Sequence, residues 1–459
     1  MTAISQQPAV LGEASLRAAT RKALAAASGD EVEVLVLSRD LGLTRFANSE
    51  IHQNMRIASA DVRVRVVRDK RVATVWTNRL EDEGVERAAR DASEKALVSP
   101  ENPEWGGLPG PASYPRVDVF DDETAATTPE RRARLVGAIC DPSFERKFRA
   151  AGYVSTTVTE VAVANSHGVW AYQPATIAEA QAVVLGDAGS GYGGRLDARV
   201  GAIDAEGVSR EAIDKAVRAQ SPRELPAGDY EVVLEPYAVA DIVEFLGEAL
   251  TGLALEEGSS FVAGRFGEKV TGEAVTLVDD PLDRECLPQA FDFEGARSER
   301  VTLVDRGVAR AVVYDSQTAA RNKARNTGHA YFSSEAYPYP MHLRLEAGAA
   351  SRDELIRGVK RGILITRFWY TRWVHPLRTI VTGMTRDGVF AIEDGEIAFP
   401  VRNFRFTQSY HEALGGTIAL EKELLLQRID RFTYGFDTGF CRVPAIRLGS
   451  FTFTGTTQY

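Results

Sequence analysis

At 459 residues the chain has room for two or three domains, and 44% hydrophobic with 26% charged residues is globular composition that excludes a disordered or fibrous protein. Lys and Arg number 54 against 64 Asp and Glu, a net charge of −10; a surface that tracks phosphates needs a basic excess, so nucleic acid is excluded as a partner of the chain as a whole. No apolar run approaches the roughly 18 residues that cross a bilayer, and the opening residues carry neither the basic start nor the apolar stretch of a signal peptide. The expectation is a cytoplasmic protein with no membrane partner. Cys140, Cys286 and Cys441 are odd in number and far apart, which reads as buried thiols rather than a disulfide framework or a cysteine-bound zinc.

In chain order, residues 1–98 read as a first α/β segment. Leu16, Ala19, Ala23 and Leu24 form a helical stripe that Gly29 would stop, and Glu31 opens a buried strand, EVEVLVL. Asp61 to Val67 alternates as a strand with one wet face, and Asn78 with Glu81 reads as a capping box opening a second helix. Residues 99–116, with five prolines and three glycines, read as a linker. In the second α/β segment, residues 117–225, Thr128-Pro129 starts a helix, Tyr153 to Gln173 forms a hairpin turning at Asn165–Gly168, and Ser209 caps a helix closing near Gln220. Residues 226–459 read as a large strand-rich domain, mostly antiparallel. Its hairpins turn at Arg306-Gly307 and Asp394-Gly395, and a Ser351/Glu354 capping box opens a helix ending at Gly362. The fold class expected is α+β.

Few motifs carry chemistry. GSGYGG at Gly189–Gly194 fits G-x-G-x-x-G, but RLDARVGAID after it lacks the helical stripe that a pyrophosphate site needs, so it reads as a glycine-rich hairpin loop. HEALGG at His411–Gly416 lacks a second histidine one turn on, so His411 reads as a surface or cap residue. The segment Arg367–Arg378 (RFWYTRWVHPLR) is richer. Arginines between aromatic rings suit recognition of carboxylates and ring faces, which makes Arg367, Tyr370, Arg372, His375, Arg378 and, in the next strand, Arg386 the candidate substrate-binding residues. A structural strand with carboxylate-paired arginines explains the same text.

The third segment contains PAGDYEVVLEPYAVADIVEFLGEAL, SSFVAGRFGEKV, LVDDPLDRECLPQAFDFEGARSERVTLVDRGVARAVVYD, RNTGHA and TGMTRDGVFAIEDGEIAFPVRNFRFTQS. In this order they resemble the TldD/PmbA family of cytosolic peptidases, PmbA being also called TldE. The resemblance implies an N-terminal α/β part, a β-rich C-terminal domain, and a heterodimer enclosing a cavity that cleaves small or unfolded peptides. In such a pair the TldD-type chain carries zinc through H-E-x-x-x-H and the TldE-type chain carries none. Pro236 to Leu250 reads as the corresponding helix. Val243 stands at the first histidine, Glu244 at the general base, Gly247 at the glycine and Glu248 at the second histidine. Ligands five residues apart lie about 140° apart on an ideal helix, and the glycine would let them converge. With both nitrogen ligands replaced, the resemblance implies the TldE-like branch: no metal or cofactor in this chain, zinc in a TldD-like partner, and a heterodimer, or a homodimer in the partner's absence. Glu244 and Glu248 then read as a solvated or salt-bridged pair on the helix's outer face. Two alternatives stay open on the residues: a stand-alone hydrolase or transferase recruiting His375, Arg372 or Cys441, and a non-enzymatic peptide-binding protein.

Overall fold

The structure, a computed structural model, describes residues 10–335, 337–429 and 439–457. Residues 1–9, part of the stretch read for a leader, lie outside the described residues. Six strands, β1 (Glu31–Ala47), β2 (Glu50–Arg68), β3 (Arg71–Thr77), β4 (Arg149–Asn165), β5 (Trp170–Leu185) and β6 (Ser190–Asp197), form one antiparallel sheet in the order β3-β2-β1-β4-β5-β6. The sheet therefore spans both α/β segments, because β1 pairs along its length with β4 (Val36 opposite Ala162).

Helices α1 (Glu13–Ala26) and α2 (Asp82–Val98) cover one face of this sheet over Val34, Val36, Val62 and Val64. Further along the same face, beyond the short α3 (Asp122–Ala125), α4 (Pro129–Glu145) and α5 (Ala205–Arg218) pack on Val154, Ala180, Ala182 and Val184. Two expected helix starts differ. α2 begins at Asp82 without a side-chain cap, the Glu81 carboxylate instead accepting Arg79 Nε at 2.5 Å. α5 is capped by Asp204, which accepts Gly207 N at 2.8 Å, while Ser209 lies inside the helix and donates to Ile139 O, tying α5 to α4. The glycine run also differs: residues from Ser190 are strand β6, and Gly191 faces α5 so closely that a Cβ would lie 2.1 Å from Ala212 O.

The opposite face of the sheet meets the C-terminal part. Leu35, Leu37 and Val163 pack on Phe291, Phe293 and Met341. Two buried arginines cross this contact: Arg63 Nη2 donates to Glu33 Oε1 and to Phe293 O, both at 2.7 Å, and Arg65 Nη1 lies 3.0 Å from Glu294 Oε1. Removing one member of such a pair strands a buried charge, at a cost of about 3–5 kcal/mol.

The C-terminal part begins with β7 (Gly228–Leu234), α6 (Pro236–Ala249) and α7 (Gly252–Glu256). A second sheet combines β8 (Leu277–Asp279), β9 (Val301–Asp305), β10 (Val308–Ala309), β11 (His342–Leu345), β17 (Leu425–Arg428) and β18 (Phe440–Val443) in the order β10-β9-β8-β11-β18-β17. The third contains β12 (Arg361–His375), β13 (Ile380–Glu393), β14 (Glu396–Pro400), β15 (Phe404–Ser409), β16 (Thr417–Leu420) and β19 (Ile446–Thr456) around β7. Its path β12-β7-β19-β15-β13 closes on itself because β13 also pairs with β12, a five-strand ring that removes exposed edges. Alternation on β15 and β19 buries Phe404, Phe406, Phe451 and Phe453 together, the rings of Phe404 and Phe453 stacking at 4.4 Å. Three short helices, α8 (Ser316–Arg321), α9 (Arg352–Arg357) and α10 (Tyr410–Gly415), border these sheets.

The hairpin turns fall as the sequence predicts, with Arg306-Gly307 and Asp394-Gly395 both at positive φ. The Ser351/Glu354 box forms, but its helix α9 ends at Gly358 and Gly362 already belongs to β12. No helix among the described residues is long and apolar enough to cross a membrane. The architecture is α+β with mostly antiparallel sheets.

Candidate functional site

Pro236 in the first turn, followed by a nearly unbroken apolar sequence, makes α6 a helix buried on almost every side between the two C-terminal sheets. Val243 is fully buried in that core. A Cβ on Gly247 would lie 2.6 Å from Leu343 Cδ1, so the glycine serves close packing against β11 rather than convergence of ligands. Three carboxylates, Asp241, Glu244 and Glu248, recur at helical spacing. The expected outer, solvated face for the two glutamates is overturned: Glu244 is buried, with Cys441 and Tyr337 among its neighbours, and Glu248 is half-buried against the β12–β13 hairpin.

The hairpin is clamped to α6 by side chains far away in sequence. Asp241 accepts Thr371 Oγ1 at 2.6 Å and Tyr410 OH at 2.7 Å, and Glu248 Oε2 accepts Trp373 Nε1 at 2.6 Å. The Trp373 ring stands edge-on to Phe245, centroids 4.6 Å apart. Glu248, Glu257, Ser259, Tyr337, Tyr339 and Trp373 line a cleft of about 240 Å³ there. Burial, with the charges of Glu248 and its acidic neighbours, pushes the Tyr337 phenol up to about 12, so it stays a proton donor near neutrality.

A zinc ion does not fit the residues at this helix. Val243 has no donor atom, and Glu248 already accepts the Trp373 indole. Burial and the Glu244 charge push the Cys441 thiol well above its ordinary range. Among the described residues no three His, Cys, Asp or Glu side chains gather as a metal site.

The arginine-aromatic strand divides between two sides. Arg367 Nε donates to Asp387 Oδ2 at 2.7 Å, and its guanidinium lies over Tyr192 at 4.5 Å and Trp369 at 4.9 Å. Asp387 also accepts Ser190 Oγ at 2.6 Å, so this group joins the first sheet to the ring. Arg386, the register partner of Arg367 across the β12–β13 pair, also lies over Trp369, at 5.4 Å, and lines a cleft of about 570 Å³ beside Arg402 and the 186–190 turn. Farther out, the β12–β13 register slips between Trp369 and Arg372, and Tyr370 takes φ 58 in the bulge. Tyr370 is 63% exposed there, with Arg372 over its ring at 4.5 Å. His375 and Arg378 are exposed near the hairpin's end, beside Val374 and Leu377. The six candidates therefore lie on one hairpin but do not converge on one point.

Other histidines also found partners. His411 is half-buried in α10, bonded through Nδ1 to Thr379 Oγ1 at 2.9 Å and stacked on Phe261. His329 Nε2 lies 2.7 Å from Asp279 Oδ2, while Asp279 Oδ1 accepts His342 N, a fully buried arrangement that pins β11 to β8. Sequence reading missed Asp241, Tyr337 and Tyr410. Asp241 carried a signal, lying one helical turn before Glu244; the tyrosines carried none locally.

Three family models match this chain. They are the PmbA/TldA metallopeptidase domain 1 over residues 32–96, the central domain over 124–220 and the C-terminal domain over 227–455. A metalloprotease of Methanothermobacter thermautotrophicus is 29% identical over 46% of this chain and 47% of its own length. The Haemophilus influenzae metalloprotease PmbA homolog is 23% identical over 47% of this chain and 46% of its own length. That organism's metalloprotease TldD homolog is 29% identical over 35% of this chain and 34% of its own length. The chain thus spans about half the length or less of these curated relatives. Among solved structures, TldE from Thermococcus kodakarensis superposes with a TM-score of 0.87 at 21% identity, covering 96% of this chain and 100% of that one. A putative modulator of DNA gyrase from Bacteroides thetaiotaomicron gives 0.82 at 19% identity, over 96% and 98%. The fold is shared with both, and with family models matching all three segments the chain belongs to the PmbA/TldD metallopeptidase family.

Proposed function

We propose that this chain is the zinc-free, TldE-like subunit of a heterodimeric peptidase that acts on small or unfolded peptides in the cytoplasm, with zinc supplied by a TldD-like chain. The observation that carries the reading is the donor set of α6. A zinc hydrolase needs ligands that leave one coordination position open for water, and a base beside that water. Here Val243 offers no ligand atom and Glu248 holds the hairpin through Trp373, while Glu244 remains where the base of the motif would stand. A helix so converted from ligation to packing suits a subunit that shapes the cavity rather than cutting.

The substrate-facing element in this reading is the outer part of the β12–β13 hairpin. Tyr370, Arg372, His375 and Arg378 stand exposed there, cationic and aromatic in an acidic protein, and can pair with a peptide carboxylate while covering apolar side chains. The test is reconstitution with a TldD-like chain bearing H-E-x-x-x-H, assayed on an unfolded peptide. Cleavage should require both chains, and Arg372→Ala should lower turnover without lowering the melting temperature. Cleavage by this chain alone, or by the other chain at full rate without it, overturns the proposal.

A further inference from the structure

Arg132, in the first turn of α4, is only 3% exposed, yet among the described residues no Asp or Glu pairs with it. Its Nε donates to Thr44 Oγ1 at 3.2 Å, its Nη1 to Thr156 Oγ1 at 3.2 Å and Thr127 O at 3.3 Å, and its Nη2 to Asn54 Oδ1 at 3.4 Å. Strand register builds this nest: Thr44 lies opposite Asn54, and Gly42 opposite Thr156. Gly42 makes the room, since a Cβ there would lie 2.4 Å from Arg132 Nη1. A buried guanidinium held only by neutral acceptors bears the cost of leaving water without the return from an opposite charge.

The same group forms a wall of a cavity of about 540 Å³ between the sheet and the start of α4. The one carboxylate in the lining, Asp40, is held by Arg56, whose Nε donates to Oδ1 at 2.8 Å and whose Nη2 donates to Oδ2. Arg56 and Arg132 against Asp40 leave the lining with a net charge of 2 − 1 = +1, in a chain whose net charge is −10. The hydrogen-bonding capacity left over in this wall is donating. Asn54 Oδ1 accepts both Arg132 and Thr44 Oγ1, the latter at 3.1 Å, which leaves the Nδ2 hydrogens; Thr156 Oγ1 accepts Arg132 and keeps its own proton; Arg132 Nη2 has a second N–H. None of these donors has an acceptor among the described residues. Donors grouped about an excess positive charge match an oxyanion.

We propose that this cavity binds the oxyanion group of a small molecule, a phosphate or a carboxylate, with Arg132 as its counter-ion and Asn54 and Thr156 as further donors. The anion gives the buried guanidinium the charge partner that the fold withholds, and the volume leaves space for an organic portion beside it. The proposal stands apart from the peptidase reading, because neither α6 nor the β12–β13 hairpin lines this cavity.

Isothermal titration calorimetry of the full-length chain tests it, with inorganic phosphate and with succinate as separate probes in chloride buffer of matched ionic strength. Wild type should bind at least one of them at one site per chain with a Kd of about 1 mM or tighter, and the tighter probe tells a phosphate site from a carboxylate site. Asn54→Asp is the decisive variant: Asn54 is exposed, and a carboxylate there supplies Arg132 with an internal counter-ion. It should weaken anion binding by about tenfold or more while holding or raising the melting temperature. Arg132→Met should abolish binding, and Arg132→Lys, which keeps the charge without the fork, should weaken it less. Arg402→Ala, an exposed arginine in the separate cleft beside Arg386, should leave binding unchanged. A wild type that binds neither probe, binding retained by Asn54→Asp or Arg132→Met, or an equal loss in Arg402→Ala overturns the proposal.

Discussion

Replacing Trp373 by phenylalanine isolates the contact that fastens the hairpin to α6. The smaller ring can keep its edge-on packing against Phe245, now 4.6 Å between centroids, while the indole N–H to Glu248 Oε2 is lost. A hydrogen bond to a charged acceptor contributes about 1.5–3 kcal/mol, and the half-buried setting of Glu248 places this one toward the lower end, about 1.5–2 kcal/mol. Urea unfolding of the purified chain should show that loss as a lower midpoint with an unchanged slope. The partner change Glu248→Ala, which removes the acceptor, and the double variant complete a cycle, whose coupling energy should be about 1 kcal/mol or more. A Trp373→Phe variant within about 0.5 kcal/mol of wild type, with coupling near zero, refutes the clamp.

Gly191→Ala places a methyl group 2.1 Å from Ala212 O and 2.5 Å from Ala216 N, both backbone atoms of α5, so the helix must move; thermal unfolding should show a loss of about 1–3 kcal/mol, and a neutral substitution refutes the packing role. Asp315 caps α8 from a buried position where desolvation and the charge of Glu294 raise its carboxyl to about 6 from an ordinary 3.8. The folded state then keeps a proton that the unfolded chain has released, so this group's contribution to stability falls as pH rises from about 4 to about 6. Asparagine can still cap but cannot ionise, so the stability of wild type relative to Asp315→Asn should decline across that window in urea titrations at several pH values; a flat difference contradicts it.

What the sequence made legible was local. The turns at Arg306-Gly307 and Asp394-Gly395 require positive φ that glycine supplies, and the Ser351/Glu354 box satisfies its helix's first amides from within four residues. The α6 helix was readable from Pro236 and its apolar content, but which side faced solvent was not. Its apparent polar face looked exposed until Thr371 and Trp373, more than a hundred residues on, closed over it. Long-range pairing hid the rest. β1 joins β4 across the proline-rich segment, and β13 closes the ring on β12, neither of which leaves a periodic trace. In α5, Ser209 reads as a cap by residue type, whereas Asp204, five residues earlier, is the residue that begins the helix. Arg367 and Arg386 looked like partners of Arg372, yet the bulge at Tyr370 and the pull of Asp387 send them elsewhere.

Zinc content is the most direct test of the central claim that α6 has exchanged metal ligation for packing. The purified chain, dialysed against zinc and then passed through gel filtration, is assayed by elemental analysis beside a TldD-like chain handled identically. The TldD-like chain should retain about one zinc per molecule and this chain a negligible fraction, since Val243 and the Trp373-bonded Glu248 leave no ligand set. Retention of about one zinc by this chain, lost on substitution of Glu244 or Glu248, would contradict the account.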